Sequence, residues 1–138
     1  MNEYKYNEIS VGLKESFSIE TTVEMLSGFC RMTGDINPLH GDESYAKSRG
    51  YPGKVAFGML TASLLSTLAG VYLPGKYSLI QQVDFKLPNP VFVGDVLVIE
   101  GEVIEKNDLF NVITVKVSIN NQHDKKVLRG SMRVGVTE

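Results

Sequence analysis

In the stretch Thr33-Gly34-Asp35-Ile36-Asn37-Pro38-Leu39-His40 a carboxylic acid and an imidazole stand five positions apart. In a continuous helix that offset would turn the two side chains away from each other. Pro38 prevents the helix, because its ring disfavours helical backbone at Asn37 and so imposes an extended or turned segment. Asp35 and His40 can then converge on one point. A carboxylate beside an imidazole is a device for positioning and deprotonating water near neutral pH, since histidine titrates there and the carboxylate orients its partner. Spacing alone is equally consistent with Asp35 and Asn37 making Asx turns and His40 packing nearby. The other histidine, His123, lies among polar residues between Asn120 and Asp124 and reads as a solvated loop residue.

The rest of the composition narrows the chemistry further. With one cysteine, Cys30, and two histidines, the chain can form no internal disulfide and lacks the ligands for a zinc cluster. No metal and no cofactor are expected. Cys30 reads as a core residue, and a reducing cytoplasm is the expected compartment. Fourteen Lys and Arg stand against sixteen Asp and Glu, with no block of like charge, so nucleic acid is not an expected partner. The 138 residues fit one domain, 1–138, with ordinary globular composition.

The elements that must position the pair read as helical early and extended late. A strand is expected around Glu15–Ile19. Thr21-Thr22-Val23-Glu24 has the form of a capping box, opening an amphipathic helix that Gly34 stops. A short helix over Glu43–Arg49 follows, capped by Asp42 and closed by Gly50. From Val55 to Gly75 no residue is charged, yet the interspersed Gly, Ser and Thr argue against a membrane span. The expected element is one helix from Gly58 to Leu73, ended by Pro74 and buried on all sides. Beyond Gly75 the period becomes two. Tyr77–Leu87, Asp95–Glu105, Leu109–Ile119 and Lys126–Val136 alternate as strands, with Leu79, Val83, Phe85 and Leu87 on one face of the first, and Asn107-Asp108 and Asn120-Asn121 as turns. An antiparallel sheet with one apolar face needs a cover, and the uncharged helix is the natural one.

The run FCRMTGDINPLHGDESYA from Phe29 resembles the hydratase 2 motif of MaoC-like dehydratases and (R)-specific enoyl-CoA hydratases. The resemblance continues through GMLTASLLSTLAG (Gly58–Gly70), LPGK (Leu73–Lys76) and FKLPNPVFVGD (Phe85–Asp95), covering nearly the whole chain in order. It implies an α+β hot dog fold, an antiparallel sheet wrapped around a long central apolar helix. It also implies a lyase with an acyl-CoA or acyl-carrier-protein thioester as substrate. Asp35 and His40 fall on the family's catalytic pair, Asn37 on the polar residue of the same loop, and Ser66 on a serine lining the acyl pocket. Gly58 falls at the helix start, where a backbone N–H meets the charge growing on the thioester oxygen. The resemblance further implies a homodimer whose pockets draw on two chains. One departure stands out: relatives commonly carry His-Gly at that helix start, and this chain has Phe57-Gly58, which puts Phe57 beside the substrate and alters its polar contacts. A hot dog thioesterase and a non-catalytic acyl-thioester-binding subunit are the alternative readings. Lys47, Arg49, Lys54 and Lys76 flank the expected site.

Overall fold

The computed structural model describes residues 1–138 and contains five strands, β1 (Lys14–Glu20), β2 (Ser78–Lys86), β3 (Val96–Asn107), β4 (Val112–Asn120) and β5 (Lys126–Val136). Every neighbouring pair is antiparallel, in the order β1-β3-β4-β5-β2. Four helices, α1 (Val23–Thr33), α2 (Pro38–Gly41), α3 (Glu43–Ser48) and α4 (Gly58–Thr67), lie between β1 and β2 in the chain. The sheet's apolar face, with Ile99, Val103, Ile113, Val115, Met132 and Val134 all fully buried, closes on Leu64, Leu65 and Leu68. Burying a leucine of this kind contributes roughly 2–3 kcal/mol. This is the sheet wrapped around a helix that the alternating strands and the uncharged segment imply, and the hot dog fold that the resemblance implies. No helix is long and apolar enough to cross a membrane.

Five expectations change in the details. The central helix is not one long element: α4 ends at Thr67 and a wider π turn, Leu68–Tyr72, completes it. Its last bond runs from Leu73 N–H to Leu68 O (2.8 Å), while Val71 and Tyr72 offer their carbonyls to Asn2 (2.8 Å each). Gly70 and the β-branched Val71 are weak helix formers, and the N-terminal segment takes up the carbonyls that a regular helix would have left unpaired. Nor is the helix buried all round, since Met59 is 61% exposed and Ser63 and Ser66 are exposed on the same face.

The cap of α1 is Thr22 rather than Thr21. Thr22 Oγ1 accepts from Met25 N–H (3.2 Å). Thr21 is held extended and buried by two backbone bonds to the Gly94–Asp95 loop. In β2 the register shifts between Ile80 and Gln82, which sets Ile80 opposite the buried Val134 and puts Leu79 on the outer face beside Gly135. A bulge adds one residue and flips the faces beyond it, so strict alternation misplaced Leu79. At the β3–β4 hairpin, Leu109 and Phe110 belong to the loop, because Asn107 Oδ1 accepts from both their N–H groups (3.1 and 3.3 Å).

The β2–β5 contact is the tightest place in the sheet. A methyl group on Gly130 would run into the carbonyl of Asp84 and Cα of Phe85. Backbone cannot step aside as a side chain can, so Gly130→Ala should cost about 2 kcal/mol or more by overpacking. Equilibrium urea unfolding measures this; a loss below about 0.5 kcal/mol would show that β2 is not held so closely.

Candidate active site

The loop between α1 and α2 is built by local polar bonds. Gly34 closes α1 in the left-handed region (φ +75°), its N–H on Cys30 O (2.8 Å), and turns the chain sharply into Asp35. Asp35 Oδ1 accepts from Asn37 N–H (3.1 Å), and Asn37 Oδ1 accepts from Leu39 N–H (3.0 Å). Asn37 is extended (φ −55°, ψ 123°), as its proline neighbour requires, and caps α2, a single helical turn opened by Pro38 where the sequence predicts an extended or turned segment. Both Asx turns therefore exist. They do not exclude the candidate acid–base arrangement, since one carboxylate oxygen of Asp35 sets the turn and the other is free of any protein donor.

His40 stands on the last part of that turn, half-buried. Its Nδ1 lies 2.7 Å from the carbonyl of Val55, in the segment that leads to α4. A carbonyl only accepts, so Nδ1 carries the proton and Nε2 keeps its lone pair in the neutral ring. Leu39 O takes the Val55 N–H (3.1 Å), which ties the same two segments a second time. The imidazole rests on the ring of Phe57, with centroids 4.1 Å apart, and Phe57 packs on Phe29 of α1 at 4.9 Å.

Two hollows meet at His40. The first, about 430 Å³, holds Asp35, Asn37 and His40 with Cys30, Arg31 and Lys54 on its walls. The second, about 300 Å³, holds His40 with Gly58, Thr61, Tyr51 and Leu87. Gly58 opens α4, and Phe57 before it supplies no side-chain cap, so the Gly58 N–H has no partner in the chain and sits at the positive end of the helix dipole. A larger depression of about 550 Å³ on the outer face of the sheet is a charge mosaic that includes Lys86, Lys116, Arg129, Glu100 and Glu102, without an apolar wall for an acyl chain.

The residues picked from sequence thus divide. Asp35, Asn37 and His40 line one hollow, and His40 shares the other with Gly58. Phe57 lines the first hollow but is only 3% exposed, a wall rather than an open contact. Ser66 lies apart, on the exposed face of α4; it is Ser63 whose hydroxyl satisfies a helix carbonyl, Leu60 O at 2.6 Å. His123 is exposed in an Asn121-centred turn, as expected. Of the flanking cations only Lys54 reaches the site. Lys47 pairs with Glu43 (3.6 Å), Arg49 lies over the Tyr45 ring, and Lys76 pairs with Glu3 (3.2 Å), whose hydrogen bond raises the lysine's pKa. The carbonyl of Val55 and the side chains of Thr61 and Leu87 escaped sequence reading. A backbone acceptor carries no signature in the sequence, whereas the GMLT opening of α4 already placed Thr61 one turn from Gly58.

A sequence profile of the MaoC like domain matches residues 6–125. The chain belongs to the MaoC-like family. Within that family it is similar to an (R)-specific enoyl-CoA hydratase from Aeromonas caviae, 36% identical over 116 residues, 83% of this chain and 85% of the relative. It is 32% identical over 100 residues to a 3-hydroxybutyryl-CoA dehydratase from Methylorubrum extorquens, which spans 72% of this MaoC-like chain and 64% of that protein. Among solved structures, the unliganded R-hydratase PhaJ1 from Pseudomonas aeruginosa superposes with a TM-score of 0.92 at 30% identity, covering 97% of this chain and 86% of that one.

Two measurements check this geometry. Nitrogen-15 NMR of the neutral His40 ring should show the proton on Nδ1, and a proton on Nε2 would contradict the Val55 bond. Gly58→Ala should fold with stability within about 1 kcal/mol of the parent, because the added methyl meets only the free end of Leu87, a side chain 43% exposed and able to turn aside. A larger loss would mean that Leu87 is fixed.

Proposed function

We propose that this MaoC-like domain hydrates trans-2-enoyl thioesters in the R sense and dehydrates (R)-3-hydroxyacyl thioesters. The observation that carries the reading is the convergence on His40 of Asp35 from one side and the unpaired Gly58 N–H from the other. The names borne by its relatives support it, as hydratases and dehydratases of such thioesters. A water held between the free oxygen of Asp35 and Nε2 of His40 gives up a proton to the pair as its oxygen bonds to C3 of the enoyl group. The electron pair moves through C2 to the thioester oxygen, where Gly58 N–H and the α4 dipole meet the charge. Return of the proton to C2 completes the addition, and the reverse sequence expels water. No cofactor enters this chemistry. Asn37 holds the loop, and Lys54 with Arg31 offers positive charge toward a phosphate-bearing carrier, either CoA or the prosthetic arm of a carrier protein. The free Cys30 thiol suits a reducing cytoplasm.

The reading includes a homodimer. β1, one edge of the sheet, presents Lys14, Glu15, Ser16, Ser18 and Glu20, which guard against pairing. β2, the other edge, leaves Leu79 58%, Ile80 37% and Val83 39% exposed and packs against the π turn that follows α4. A second copy on this side would cover them and bring Ser66 toward an acyl chain.

Incubation with crotonyl-CoA should bleach the conjugated thioester absorbance and yield a product oxidised only by an R-specific 3-hydroxyacyl dehydrogenase. Release of free thiol instead would point to hydrolysis, and inertness toward CoA- and carrier-bound enoyl substrates would refute the reading. Asp35→Asn and His40→Gln should each lower turnover by about a hundredfold or more, the scale of one positioned acid or base, with His123→Gln near parental. Light scattering should give twice the 15.2 kDa chain mass, and Val83→Lys should shift it toward one chain; a parental protein found only as monomer contradicts the dimer.

A further inference from the structure

Phe57 precedes the first residue of α4 and carries an aromatic ring with no polar atom. It is 3% exposed and lies between two rings, His40 of α2 at 4.1 Å with 31° between planes and Phe29 of α1 at 4.9 Å. Its backbone is the N-cap of α4, so the next amide is that of Gly58. One residue therefore touches the base by its side chain and leads directly to the oxyanion donor by its backbone.

We infer that Phe57 is a positioning residue, whose ring is the platform that holds the His40 imidazole in its productive orientation relative to the Gly58 N–H. The inference rests on the hydration reading above. The hydrogen bond to Val55 O pins one atom of the imidazole, yet a ring held at one atom can still rock about that bond. A flat surface at van der Waals distance removes this freedom, and Phe29 behind it prevents the surface from yielding. Phe57 itself offers no polar group to a substrate and exposes almost no area to one. A substrate contact would be expected to set affinity; a platform sets how often Nε2 faces the water, and misplacement of a reacting group by even an ångström is expensive in rate.

Phe57→Leu keeps apolar bulk and removes the flat face, and Phe57→Tyr keeps the face. For the folded Leu variant kcat should fall about tenfold or more with KM within about twofold, and the Tyr variant should keep at least about half of the parental kcat. Nitrogen-15 NMR should show the Nδ1–H form in all three proteins, since the Val55 bond is untouched, while carbon-13 relaxation of the His40 ring C–H groups should show a rigid ring in the parent and the Tyr variant and a mobile one in the Leu variant. Should Phe57→Leu fail to fold, Phe57→Met takes its place with the same expectations. Parental kcat in the Leu variant, a raised KM at constant kcat, or a His40 ring that stays as rigid as the parent's while kcat falls would each overturn the inference. If the parent shows no hydratase activity, the hydration reading fails, and the ring-mobility measurement still decides whether Phe57 holds His40.

Discussion

The bond between His40 Nδ1 and the Val55 carbonyl is the contact on which the site depends. It joins the turn that follows α1 to the segment that precedes α4, two pieces of chain that share no secondary structure. By occupying Nδ1 it leaves Nε2 as the one ring atom able to accept a proton from water. Both consequences come from a single acceptor that has no side chain. Without it, the acid of one loop and the amide of another helix would have no common reference, and Asp35 and Gly58 would be two unrelated polar groups.

The scaffold serves this bond by fixing where α4 begins. Val55 and Phe92 form an isolated bridge, and Ala56 N–H reaches Val91 O (2.7 Å), so the approach to α4 is anchored to the chain just ahead of β3 before the helix starts. From there Leu64, Leu65 and Leu68 are clamped by the fully buried sheet face, which sets the direction of the helix and therefore of its dipole. The sheet leaves one side of α4 and the β2 edge open. That asymmetry separates a closed half, which fixes the positions of Asp35, His40 and Gly58, from a half where Met59, Leu79 and Val83 stand exposed.

Much of this could be read from residue order, and the limits have physical causes. Alternation marked four strands because each has one wet and one dry face, and the absence of charge marked the covering helix. Alternation failed at Ile80–Gln82 because a bulge is one extra residue without a composition of its own. The uncharged run predicts a longer helix than α4, because propensity does not reveal that Asn2, at the far end of the chain, completes its last turn. At the site, Pro38 announced the break and the acid–base pair announced the chemistry, so Asp35, Asn37 and His40 were visible as types. Their common reference was not visible, since Val55 contributes a carbonyl and any residue has one. Ser66 rests on the resemblance alone, and it lies outside both hollows that meet at His40.

The most direct test is a crystal structure of the Asp35→Asn protein with intact crotonyl-CoA bound. The thioester oxygen should lie within about 3.2 Å of Gly58 N. C3 should face a water held by His40 Nε2 and the residue at position 35. A thioester oxygen seated away from Gly58, or a C3 turned from His40, would contradict the assignment of these groups to one reaction.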